Sequence, residues 1–136
     1  MKHIPAGSRA STRPNPDYFT GDVWMDPIIS AEPPARLNAL MVRFDPGART
    51  AWHTHPLGQT LYVVSGKGLI CRRGEAPQEI LPGDTVWFEP GEEHWHGASP
   101  TTGMVHIAMQ ETDETGSAAT WLDKVDDADY TPATGT

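Results

Sequence analysis

The sequence predicts an all-β domain, a barrel or sandwich of short antiparallel strands, and three observations carry that prediction. Glycine and proline each occur thirteen times in 136 residues, and they recur at roughly 8–12-residue intervals, the spacing of turns between short strands. Between the turns, apolar and polar residues alternate with the two-residue period of a half-buried strand. The apolar share, 38%, suffices for one packed interior, and the length suits one domain over residues 1–136 rather than two cores.

Residues 1–20 are rich in Ser, Pro, Asn and charge and show no period. An arm is expected over residues 1–30, lying across the domain or a neighbouring subunit, with Phe19, Val23, Trp24 and Ile28 as its anchors. The barrel core is expected over about residues 37–110. Leu37–Phe44 alternates with Leu40, Val42 and Phe44 on one face, and Asp45-Pro46-Gly47 closes it as a turn. Residues 50–55 and 60–65 read as the next strands, the second rich in β-branched and aromatic side chains. Leu61 and Val63 are expected to face outward from it. Turns at 66–68, 74–77, 82–84 and 89–92 then lead into strands at 69–72, 78–81, 85–88 and 94–97, and 103–110 is the last strand. In the C-terminal segment, 111–136, residues 117–130 fit one short amphipathic helix carrying Trp121, Leu122 and Val125.

Charge and composition restrict the function. The formal net charge is −8, from 18 acidic and 10 basic residues; with no basic stripe to offset it, such a surface repels phosphate backbones and argues against nucleic acid. The acidic residues between Glu111 and Asp129 read as a solvated surface. No apolar run reaches the roughly 18 residues that cross a bilayer, so no membrane is expected, and the N-terminus lacks the apolar stretch of a secretory signal. Cys71 is the one cysteine and has no internal disulfide partner, so nothing asks for an oxidising compartment and a cytoplasmic protein is expected. Sheet edges and an apolar outer face call for cover, and identical subunits supply it, so a homodimer or homotetramer is expected.

Five of the six histidines fall in the strand region: His53, His55, His94, His96 and His106. A strand points residues i and i+2 to one face, so His53 projects with His55, and His94 with His96. His106 shares its face with Met104, Ala108 and Gln110. Unpartnered imidazoles inside a barrel are costly, and a metal ion satisfies them directly. A lone histidine on a strand is more often a hydrogen-bonded core residue than a ligand. A His-x-His pair, His53 and His55, followed by Gln59 and with a further His after a turn-rich stretch, shifts the balance toward metal ligands. Three imidazoles and one side-chain oxygen suit a divalent transition metal, manganese, iron, nickel, cobalt or zinc, and the residues do not choose among them.

Residues 47–66, from Gly47 through His53-Thr-His55 and Gln59 to Gly66, resemble the first motif of the cupin family, G-x5-H-x-H-x3-E-x6-G. Residues 83–97, with Pro90-Gly91 and His94 before Gly97, resemble its second, G-x5-P-x-G-x2-H-x3-N. The resemblance implies a double-stranded β-helix, or jelly-roll, barrel. Three positions depart from the pattern: Gln59 replaces the usual Glu, proline falls at 90 rather than 89, and Ala98 replaces Asn. The combination WHTHPLGQT with HWHGA is similar to the manganese-dependent bacterial cupins that act as hydroxynitrile lyases, in which glutamine is the ligand at this position. That narrower resemblance runs from about Trp24 to Gln110 and implies a metal held by His53, His55, Gln59 and His94, manganese as that metal, and lyase activity on aromatic cyanohydrins such as mandelonitrile.

A neutral ligand set leaves a divalent ion its full charge, which favours Lewis-acid chemistry over stabilising a higher oxidation state. His96 and His106, inward by parity yet outside the ligand set, are the candidate bases, and Gln110 a candidate for orienting substrate. For His96 the competing reading is an orienter of the metal site. Leu40, Val42, Phe44 and Thr50 are the candidate walls for an aryl group, with plain core packing the competing reading for the first three. A dioxygenase or isomerase on the same ligands, or a non-enzymatic small-molecule-binding module, are the alternatives.

Overall fold

Residues 1–131 are described by a computed structural model. The strands in chain order are β1 (Phe19–Thr20), β2 (Val23–Ser30), β3 (Leu37–Phe44), β4 (Arg49–Thr50), β5 (His53–Thr54) and β6 (Gln59–Gly66). They continue with β7 (Gly68–Arg72), β8 (Gln78–Ile80), β9 (Thr85–Phe88), β10 (His94–Ala98), β11 (Met104–Glu111) and β12 (Thr120–Trp121), and the last element is a one-turn helix, α1 (Asp127–Tyr130). Two antiparallel sheets face each other. One runs β2-β3-β11-β6-β9; the other runs β1-β4-β10-β5-β12, with β7 and β8 branching from β10. Apart from β2–β3 and β7–β8, neighbours within the sheets are not consecutive in the chain, which is the jelly-roll pattern.

The inner faces pack on Val23, Val42, Phe44, Leu61, Val63, Phe88, Met104 and Ala108. Strand β11 shows the rule most plainly: Met104, His106, Ala108 and Gln110 are buried, and the residues between them are half-buried. The same two-residue period governs β6, and it corrects one expectation. With Gln59 inward, Leu61 and Val63 point inward as well and are 0% and 1% exposed; Tyr62 and Val64 are the outward pair, at 44% and 41%. Close approach of β10 to β4 demands Gly97, where a Cβ would lie 2.5 Å from the Ala48 carbonyl oxygen.

The other corrections are at the ends. The sheet begins well before Leu37, because residues 23–30, expected in the arm, form the edge strand β2 against β3, and Thr12 bridges to Met25. Pro27 disguised that strand. It sits at the register shift in the β2–β3 pairing, on the edge where a missing N–H costs least. At the other end the short helix expected over residues 117–130 is confined to its last turn, Asp127–Tyr130. Residues 120–121 pair with β5, Leu122 N–H donates to the Trp52 carbonyl (2.8 Å), and Trp52 N–H donates to the Asp123 carbonyl (2.9 Å). The spacing of Trp121, Leu122 and Val125 imitates a helical stripe, but the open backbone groups of β5 and Trp52 take the segment as a strand-like strap.

That strap builds a second small core on the far side of the sheet, where Trp95, pointing away from His94 and His96, packs with Trp52, Cys71, Val125 and Tyr130. Arg49, 6% exposed, donates from Nη2 to the Val125 carbonyl (2.7 Å) and to Asp127 (3.1 Å) and lies over the Tyr130 ring. Tyr130 O–H donates to the Ala98 carbonyl. Among the described residues no helix is long and apolar enough to cross a membrane.

Candidate metal centre and active-site cavity

Strand pairing brings the histidines of the two motifs together. His94 on β10 stands directly opposite His53 on β5, and Trp121 on β12 stands opposite His53 from the other side. The ring centroids of His53 and His94 are 4.3 Å apart, and those of His53 and His55 4.9 Å. Phe88 stacks on His94 (3.6 Å, 12°), and Trp121 stacks on His53 (4.5 Å, 28°). Between β5 and β6 the chain turns at Gly58 with φ +80°, where a Cβ would also strike Trp87; this turn sets Gln59 at the start of β6, inward.

Hydrogen bonding divides the buried polar groups into two sets. In the first, each histidine gives its Nδ1–H to a backbone carbonyl: His53 to Ala51 (2.9 Å), His55 to Ala118 (2.7 Å) and His94 to Glu92 (2.8 Å). A carbonyl only accepts, so the proton is fixed on Nδ1 and Nε2 carries the lone pair. Gln59 follows the same rule, its NH2 donating to Gln110 Oε1 (2.9 Å). His55 Nε2, His94 Nε2 and Gln59 Oε1 are buried with no protein partner. Orphaned acceptors of this kind in a native core call for a cation.

The second set is His96 and His106, tied to each other through His106 Nε2 and His96 Nδ1 at 3.0 Å. Proximity alone groups the rings differently, because nitrogens of His53, His94 and His96 lie within 4.8 Å of one another. That three-histidine cluster suits a divalent metal. For the choice of ligands the hydrogen bonds weigh more than proximity, since His96 has no carbonyl to fix its proton whereas His55 has one.

All five imidazoles are held neutral. Burial pushes His94 down to about 3 and His106 to about 4. Burial likewise holds His53 and His96 well below their ordinary value of 6.5, with neighbouring histidines adding to it. His55 is lowered by burial, with the bond to Ala118 opposing it. Neutral rings with open lone pairs are the form that binds metal.

The centre opens on one cavity of about 350 Å³. Of the four candidate wall residues, Leu40, Val42 and Thr50 line it and Phe44 does not reach it. Phe44 is buried behind the wall, with its ring against His106 (5.4 Å) and His96 (6.0 Å). Of the two candidate bases, His96 lines the cavity, and His106, 0% exposed, sits behind it. Gln110 also lines the cavity, and both ends of its amide are already bonded, to Gln59 and to Asn38. Asn38, Phe19, Met25, Ala118, Ala119 and Trp121 line the cavity as well, beyond the wall residues that the sequence pattern picks out. Parity with Leu40 would have found Asn38. The residues of the strap and of β1 carried no such signal, because their positions depend on long-range pairing.

Residues 40–109 match the family model described as the cupin domain. An (R)-mandelonitrile lyase from Granulicella tundricola is 55% identical over 124 residues, covering 91% of this chain and 94% of that protein. A crystal structure of a cupin-like protein from Thermotoga maritima superposes with a TM-score of 0.83 at 36% identity, over 90% of this chain and 92% of that one. The polyketide cyclase RemF from Streptomyces resistomycificus superposes at 0.74 over 96% and 90%, and at 14% identity it attests the fold alone.

Proposed function

The chain belongs to the cupin family, and from that premise we propose that it is a metal-dependent carbon–carbon lyase, cleaving or forming aromatic cyanohydrins such as mandelonitrile, with aldehyde and cyanide as the other side of the reaction. One observation carries the reading: the buried, partnerless acceptors of His55, Gln59 and His94 meet a largely apolar cavity beside a separate histidine pair. The likeness to a mandelonitrile lyase supports the same substrate class.

In this reading His53, His55, Gln59 and His94 would hold a divalent transition metal, manganese being the choice that the resemblance favours. Bound there, a divalent ion supplies Lewis acidity toward the hydroxyl oxygen or the departing cyanide. The rest is done by side chains of this chain. Leu40, Val42, Met25 and Ala108 receive the aryl group, with Phe19 and Trp121 completing the apolar lining. His96, neutral at working pH, takes the hydroxyl proton at Nε2, which is buried and has no other partner. In the tautomer that leaves this nitrogen free, His96 gives its Nδ1–H to His106 Nε2 across their 3.0 Å contact, so His106 would hold the ring in that form and steady the charge that develops on it. As the O–H bond gives up its proton, the carbonyl forms and the electron pair of the C–C bond leaves with cyanide. In the synthetic direction His96 returns the proton to the alkoxide oxygen.

Assembly belongs to the same reading. Leu37, Tyr62, Val64 and Trp87 are exposed on the outer face of the five-stranded sheet, and an apolar patch of that kind favours a homodimer or a dimer of dimers.

The test of the activity is benzaldehyde release from mandelonitrile at mildly acidic pH, where the uncatalysed reaction is slow, by manganese-loaded and metal-stripped protein. The expected outcome is release by the loaded protein alone. Equal release from both would defeat the metal-dependent reading.

A further inference from the structure

Asn38, Gln110 and Gln59 stand opposite one another on the neighbouring strands β3, β11 and β6. They form a row of three amides across the inner face, at the edge of the cavity. Gln110 Nε2 donates to Asn38 Oδ1 (2.8 Å) and to the Asn38 backbone carbonyl (3.3 Å). Gln59 Nε2 donates to Gln110 Oε1 (2.9 Å). Which way round a buried amide points is decided by its partners, and here one partner cannot be reversed. The Asn38 carbonyl only accepts, so it holds the NH2 of Gln110 toward β3. Gln110 must then present its oxygen to Gln59, and Gln59 must answer with its own NH2. The remaining end of Gln59, its oxygen Oε1, is left buried without a protein partner, beside His55.

We propose that Asn38 and Gln110 form an orientation relay that acts on the metal only through Gln59, keeping its carbonyl oxygen, and not its NH2, toward the histidine nitrogens. The inference rests on the reading of Gln59 as a ligand and goes beyond it. Gln110 becomes a positioning residue whose amide is already committed, and Asn38 becomes part of the site although it touches no ligand atom of the histidines. Without the relay, Gln59 is free to turn its NH2 inward, where two N–H donors face the ion instead of a lone pair. Partners that orient a metal ligand are worth roughly 10–100-fold in affinity.

The measurement is Mn2+ affinity, by competition with a chromophoric chelator, on the full chain carrying Gln110→Met, Gln59→Ala and both together. Gln110→Met should weaken binding by roughly 10–100-fold when Gln59 is present and have no further effect in the Gln59→Ala background. An equal loss in both backgrounds overturns the relay, because Gln110 would then act through packing. Unchanged affinity in Gln59→Ala alone removes Gln59 from the ligand set and the relay with it, an outcome distinct from the first. If Gln110→Met does not fold, Asn38→Ala serves in its place, since it deletes Oδ1 and keeps the backbone carbonyl. Its loss should be smaller and should also vanish in the Gln59→Ala background; a loss that persists there overturns the proposal.

Discussion

Two groups of histidines share one end of this barrel and are wired differently. His53, His55 and His94 each hand a proton to a main-chain carbonyl, a partner that neither titrates nor turns. His96 and His106 hand one proton between themselves. A carbonyl anchor makes a fixed acceptor with its lone pair aimed, which is what a ligand needs. A side-chain anchor leaves the proton free to move when a second one arrives, which is what a base needs. On the proposed reading, the same residue type, equally buried and equally neutral, is divided by its second nitrogen into metal-holding and proton-transferring roles.

The largest effect that would break this contrast is on the metal. His94→Ala and His53→Ala should each lose most of the bound ion, and with it cleavage of mandelonitrile, by elemental analysis and aldehyde release on the same preparation. Stoichiometric metal in either variant would remove that residue from the ligand set. Next in size, His96→Ala should keep its metal and lose roughly 10²–10⁴-fold in kcat, the usual cost of deleting a general base. His106→Ala should lose less, roughly 10–100-fold, because it acts through His96. A larger loss in His106→Ala than in His96→Ala would reverse the two roles.

A smaller effect is on stability. His94 and His106 have folded-state values of about 3 and about 4 against an ordinary 6.5, so below pH 6.5 the unfolded chain binds protons that the folded one refuses. Their contribution is neutral above that pH, and the folded state loses up to about 1.4 kcal/mol per pH unit for each such histidine as pH falls toward those lower values. Denaturant midpoints of the metal-free protein should therefore drop steadily as pH falls from neutrality toward 4, and a flat profile would show that the rings are not buried neutral. The smallest effect concerns the outer sheet. Tyr62→Lys with Val64→Lys should convert a dimer or tetramer to monomers by light scattering while leaving metal content unchanged, whereas Leu61 and Val63, lying inside, affect folding rather than assembly.

Much of this site is legible in sequence because its parts are local. His53 and His55, and Gln110 on the face of His106, follow from the two-residue period of a strand, and the turn glycines keep that period in register. Parity applied along β6 from Gln59 would also have turned Leu61 inward. What local pattern does not carry is pairing between distant segments. Trp121 reaches His53, and Ala118 fixes the tautomer of His55, only because the C-terminal strap completes the edge of β5, and the apolar spacing of that strap imitates a helix. Pro27 conceals β2 for the converse reason, since an edge strand tolerates a residue that local rules count against. Phe44 shows the remaining limit: parity sends it inward beside the histidines, but only the three-dimensional packing tells wall from filler.

Either His55 or His96 completes a metal site with His53 and His94, for proximity favours His96 and hydrogen bonding favours His55. Metal stoichiometry of His55→Ala and His96→Ala, purified side by side from manganese-supplemented cultures, decides it. The wiring predicts that His55→Ala emerges depleted and His96→Ala emerges loaded. A loaded His55→Ala with a depleted His96→Ala would contradict it.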